Sequence, residues 1–134
     1  TGVHEGSPDS VEVMGRSLAI REQARGVARF TFEELCATAL GPQDYLAIAD
    51  RYHAVVVRGI PRLRPENRNE AKRFVTLIDA LYERSAKLIA TAEAPPAELY
   101  PAGDGSFEFE RTASRLMEMQ SADYLARTHR PKTS

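Results

Sequence analysis

The sequence predicts an α/β domain: an N-terminal antiparallel β-meander, a βαβ unit with a buried, mostly parallel sheet, and C-terminal helices. Three observations carry this. Short alternating runs separated by glycine-containing turns occupy residues 11–30. Two β-branched, non-alternating runs, His53 to Arg58 and Lys87 to Ala92, have the pattern of strands covered on both faces. Between those runs lies a long stretch with apolar residues at helical spacing.

The elements follow in chain order. Val11-Glu12-Val13-Met14 alternates, Gly15-Arg16 offers a tight turn, and Leu18 and Ile20 alternate with Ala19 and Arg21, which reads as a hairpin. Val27-Ala28-Arg29-Phe30 supplies a third strand after Gly26. Thr31-Phe32-Glu33-Glu34 is a capping box, so a short helix is expected to run to about Leu40 and stop at Gly41. Pro42 suits the first turn of the next helix, whose Tyr45, Ile48, Ala49 and Tyr52 make a one-sided stripe. His53 to Arg58 is the first buried strand, ended by Gly59 and Pro61. From Asn69 a helix carries Ala71, Phe74, Val75, Ile78, Leu81 and Tyr82 on one face, and Lys87 to Ala92 is a second buried strand. A parallel pair joined this way needs a crossover, expected to be right-handed. Pro95-Pro96 closes the strand, and Ala97 to Tyr100 fits one helical turn. Phe107-Glu108-Phe109-Glu110 alternates as an edge-type strand, with Arg111 where strand turns to helix. Leu116, Met117 and Met119 give that helix its apolar side, and Ser121 caps a final turn holding Tyr124 and Leu125.

Residues 1–10 and 128–134 are polar and coreless and are expected to be disordered, leaving 11–127 as a single domain. The first residue is Thr1 rather than Met, which agrees with an excised domain or a processed chain. The 134 residues carry 18 Lys and Arg against 19 Asp and Glu, so the overall charge offers no reason to expect nucleic acid as partner. One cysteine, Cys36, leaves no internal disulfide and fits a reducing, cytoplasmic setting; a small core residue is the favoured reading of it. No apolar run is long enough to span a bilayer.

The search for chemistry is mostly negative. There is no G-x-x-x-x-G-K-[ST] loop, no G-x-G-x-x-G, and no metal-ligand spacing among His4, His53, His129 and Cys36. Three features remain. Arg58, Arg62, Arg64, Arg68, Lys72 and Arg73 form a basic cluster interleaved with Glu66 and Glu70, a phosphate-binding pattern without stacking aromatics. A solvated loop and helix face is the favoured reading there. Glu93 stands at the C-terminal end of a parallel strand, where α/β sheets gather ligands, though a capping carboxylate is the favoured reading. Arg111 and Arg115 lie four apart on one helix face; such forks suit phosphate, and pairing with Glu108, Glu110 or Glu118 is an equal alternative. An autonomous protein-interaction module is a rival reading, with Tyr100, Phe107, Phe109, Met117 and Met119 as its apolar patch. A nucleic-acid-binding module using the 58–73 cluster is another.

Several strings carry a family resemblance. Phe30-Thr31-Phe32-Glu33-Glu34-Leu35-Cys36, Leu81-Tyr82-Glu83-Arg84, Glu98-Leu99-Tyr100 and Phe109-Glu110-Arg111-Thr112-Ala113-Ser114-Arg115-Leu116-Met117-Glu118-Met119-Gln120-Ser121 resemble the C-terminal portion of the ZapE-like P-loop ATPases. That family holds a bacterial cell-division ATPase and its mitochondrial relative, and the likeness spans about residues 11 to 127. The resemblance implies a fragment of an AAA+, P-loop NTPase-type architecture, with Walker A, Walker B and the first sensor upstream. It implies ATP and Mg²⁺ as cofactors of the parent protein and none for this chain alone. It implies Arg111 and Arg115 as nucleotide-sensing candidates. Arg73, from the basic cluster, and Glu93, from its place at the strand end, are candidates for phosphate or partner contacts on their own chemistry. Implied partners are the upstream ATPase core, further copies through the parent, and cell-division or quality-control proteins. One departure is Arg58-Gly59-Ile60-Pro61, where the family carries a small residue and an acid before the Val/Ile-Pro. Any role resting on an acid there is therefore not carried over.

Overall fold

A computed structural model describes residues 7–131. Five strands form one mixed sheet in the order β1-β2-β3-β4-β5. β1 (Ser7–Val13), β2 (Arg16–Ala24) and β3 (Val27–Thr31) are antiparallel, as the meander reading expects. β4 (Ala54–Ile60) joins β3 in parallel, and β5 (Lys87–Ala92) joins β4 in parallel. The helices are α1 (Phe32–Cys36), α2 (Pro42–Arg51), α3 (Arg68–Glu83), α4 (Ser106–Glu118) and α5 (Ala122–Leu125).

Both hairpins turn on two residues of positive φ, Met14-Gly15 (50° and 83°) and Arg25-Gly26 (55° and 79°). Such turns match the right-handed twist of the flanking strands. The first turn thus sits one residue earlier than Gly15-Arg16. Gly26 has a second constraint, since a Cβ there would meet the His53 ring at 2.6 Å.

The core lies where Ala28, Phe30, Val55 and Val57 of the sheet meet Phe32, Leu35, Tyr45, Ile48, Phe74 and Ile78. The Thr31 capping box forms: the hydroxyl accepts from the Glu34 amide at 3.2 Å, and Glu34 accepts from the Thr31 amide at 2.8 Å. Cys36 is fully buried, which supports the core reading, and burial pushes its thiol up to about 12.

Five expectations are corrected. α1 ends at Cys36 rather than near Leu40, because the Arg73 guanidinium takes the Cys36 carbonyl at 3.0 Å and the chain turns away. Residues 107–110 are not a strand but the first turn of α4, with Gly105 in the left-handed region (φ 82°) at its start. Phe107 and Phe109 lie about 200° apart on a helix, so one is 81% exposed and the other buried. β5 is an edge strand, not a buried one: Ile89, Ala90, Thr91 and Ala92 are exposed. The N-terminal segment is structured from Ser7, while residues 1–6 and 132–134 lie outside the described residues. The segment after 127 is docked through the His129 Nε2 to Ala49 carbonyl contact (2.6 Å) and the Arg130 amide, which donates to the Arg84 carbonyl at 2.7 Å.

Candidate functional site

Burial of one helix face brings α3 and α4 side by side. Ala71, Phe74, Leu77, Ile78 and Leu81 of α3 are buried, as are Phe109, Thr112, Ala113 and Leu116 of α4. The rows next to these stripes meet at the seam. Asp79 and Tyr82 project from α3; Arg111, Arg115 and Glu118 project from α4, each one turn from the next.

Asp79 receives both arginines. One carboxylate oxygen pairs with Arg115 Nη1, and the other lies 3.7 Å from Arg111 Nη2. Arg115 is the anchored member: its side chain is 29% exposed and its guanidinium lies 4.8 Å from the Tyr82 ring centroid. A stacked, planar cation is held by its face as well as its edge. Arg111 is the free-reaching member, 63% exposed. Further along the seam the Tyr82 hydroxyl donates to Glu118 at 2.9 Å, Arg127 pairs with Glu118 at 3.1 Å, and the Tyr82 and Tyr124 rings stack at 5.8 Å.

Arg111 therefore stands mid-helix, not at a strand–helix junction. The partner of both arginines is Asp79 rather than Glu108, Glu110 or Glu118. No local signal marks Asp79, which lies on a different helix from the arginines. Arg73 and Glu93 are not at this seam. Arg73 donates to the Cys36 carbonyl, and Glu93 accepts from the Arg62 amide at 3.0 Å, the capping role. The basic cluster is likewise dispersed: Arg62 faces Glu98 at 3.7 Å, while Arg68 and Lys72 line a cleft of about 430 Å³ against Tyr100, Asp104 and Glu108. Of the apolar-patch residues, Tyr100, Phe109 and Met119 are buried; Phe107 and Met117 are exposed.

His53 and His129 bond main-chain carbonyls, of Arg25 and Ala49. Among the described residues no group of three His, Cys, Asp or Glu side chains could hold a metal ion. Among them too, no helix is long and apolar enough to cross a membrane.

The profile of the AFG1-like ATPases matches residues 3–128 of the chain. The cell division protein ZapE of Escherichia coli is 38% identical over 128 residues, covering 96% of this chain and 34% of that protein. A fission yeast protein (Schizosaccharomyces pombe), described as uncharacterized, is 45% identical over 93 residues, 69% of this chain and 20% of its own. The lactation elevated protein 1 homolog B of Danio rerio is 30% identical over 149 residues, covering 87% of this chain and 30% of that protein. The chain thus spans 20 to 34% of the length of these relatives. No solved structure matches it.

Proposed function

The chain belongs to the AFG1-like ATPase family, and on that basis we propose that it is the C-terminal part of a longer, ZapE-like AAA+ ATPase. In this reading it completes the fold around an upstream nucleotide-binding core, and Arg111 and Arg115 sense nucleotide bound there. The observation that carries the reading is the pair of guanidinium groups over the single Asp79 carboxylate. Two cations against one anion leave charge for a phosphate, and Asp79 holds Arg115 in place beforehand. Arg111, the more exposed, is the residue that reaches.

ATP and Mg²⁺ belong to the parent protein. In this reading the upstream core binds both, and the side chains of this chain that reach the nucleotide are Arg111 and Arg115. Proposed partners are the upstream core, further copies of the parent, and proteins of cell division or quality control, the former by analogy with ZapE. The lone buried thiol supports a cytoplasmic location. Nucleic acid is not part of this reading: of these cations only Arg68 and Lys72 share a cleft, while Arg62 faces Glu98 and Arg73 bonds the Cys36 carbonyl. The docking-module alternative keeps one observation in its favour, the exposed Phe107 and Met117 of α4.

The test is made in the full-length protein. Arg111→Ala and Arg115→Ala, separately and together, are expected to lower the ATPase kcat by about 10³-fold, the scale of a γ-phosphate-sensing arginine. An undiminished rate in the double variant overturns the assignment. The chain by itself is expected to hydrolyse no ATP, and turnover that survives rigorous purification would refute that.

A further inference from the structure

The two outer strands of the sheet are finished differently. A bare strand edge templates pairing with other chains, and proteins blunt it with proline, charge or bulges. β1 has all three: Pro8, then Asp9 and Glu12, and a register shift between Ser7 and Asp9. β5 carries one charge, Lys87 at its first residue, and no proline, charge or outer bulge along Leu88-Ile89-Ala90-Thr91-Ala92. The register shift nearby falls on its inner side, between Val57 and Ile60 of β4.

The main chain of β5 is also poised outward. The Lys87 amide donates to the His53 carbonyl at 2.8 Å and the Glu93 amide to the Ile60 carbonyl at 2.9 Å, both toward β4. With a period of two, the Leu88, Ala90 and Ala92 amides point away from the sheet. Beside that edge runs an apolar groove of about 340 Å³, walled by Ile60, Ala90 and Ala92 on one side and Leu116 and Met119 on the other. Ile89 is 58% exposed on the strand's other face. Parallel strands are ordinarily covered on both faces, which leaves this end of the sheet unfinished.

We infer that the β5 edge is an internal joint, where a sixth β-strand from the remainder of the same, longer polypeptide continues the sheet and fills the groove. This rests on the reading of the chain as part of a longer ATPase. The matched relatives have the length to supply such a strand, since the chain covers 34% of one and 30% of another. The contrast between the edges argues for it: β1 is blunted along its length, while β5 is charged only at Lys87 and apolar beyond it, so β5 is the edge that needs a permanent occupant.

The experiment is amide hydrogen exchange on the full-length protein. The Leu88, Ala90 and Ala92 amides are expected to exchange roughly a thousandfold more slowly than free amides, at a rate comparable to that expected of the inward Ile89 amide. Ala90→Pro, which removes an outward N–H and no bond inside this domain, is expected to release Leu88 and Ala92 while far-UV circular dichroism keeps its helical signal. Fast exchange of these amides in the unaltered protein overturns the inference whatever the variant does. Protection that vanishes on dilution, together with a dimer by sedimentation, overturns it in favour of a second copy. An intact, arginine-dependent ATPase rate beside fast-exchanging amides would sink the joint and leave the ATPase reading standing.

Discussion

The two ends of the sheet are held by different forces. At the meander end the clamps are polar and half wet. Asp9 accepts from Arg51 at 2.9 Å and from the Tyr52 hydroxyl at 2.8 Å, and Arg16 pairs with Asp44 at 2.5 Å. At the parallel end the clamp is an aromatic plug. Tyr124 is fully buried, stacks on Tyr82 and donates to the Ala86 carbonyl at 2.7 Å. An edge that faces water can rely on charge, because water is its last neighbour. The other end is anchored at the start of β5 by Tyr124 yet left bare along the rest of the strand, the pattern expected if a further strand is to join it.

The sharpest way to break this contrast is at the plug. Tyr124→Ala removes a buried ring and two hydrogen-bond contacts, to Leu81 and Ala86, and is expected to cost about 3–5 kcal/mol in denaturant unfolding. Tyr52→Phe at the other end deletes one hydroxyl and keeps the ring, so about 0.5–1.5 kcal/mol is expected. If the two costs came out equal, the division between the ends would be wrong. The smallest effect is acid-dependent. Hydrogen bonds from Arg51, then Tyr52, hold the Asp9 carboxyl below its ordinary 3.8. A depressed carboxylate contributes stability that is present above the ordinary value and lost as pH falls through the folded one. On acidification β1 amides are therefore expected to exchange faster before those of α3 do. Simultaneous opening of both would argue against a separate polar clamp.

Much of the fold was legible because its signals are local. The capping box at Thr31, the Pro42 helix start and the Ser121 cap depend on residues within one turn, and all three form. The strand–helix–strand unit was legible from periodicity alone. The start of α4 was not, because four residues of alternation fit a strand and two opposite helix faces equally well, and only the packing of Phe109 against Phe74 at 6.0 Å decides. Arg111 and Arg115 stood out by their chemistry, but Asp79 and Tyr82 did not, since the seam that joins them is made by tertiary packing. Nor could the run Lys87 to Ala92 reveal how many neighbours it has. A β-branched, uncharged strand reads the same whether its second neighbour is in hand or elsewhere.

Cys36 gives the domain an intrinsic clock. It is the chain's one thiol, wholly buried and shifted to about 12, so at neutral pH a soluble thiol reagent finds almost no thiolate and no path to it. It sits where α1 meets Arg73 of α3, far in sequence from β5 but inside the same core. Modification of this sulfur counts openings of the core itself, without any engineered label. When reclosing is slow the labelling rate reports how often the core opens, and when reclosing is fast it reports how long the open form persists at equilibrium. Every substitution discussed above could be ranked on that single signal.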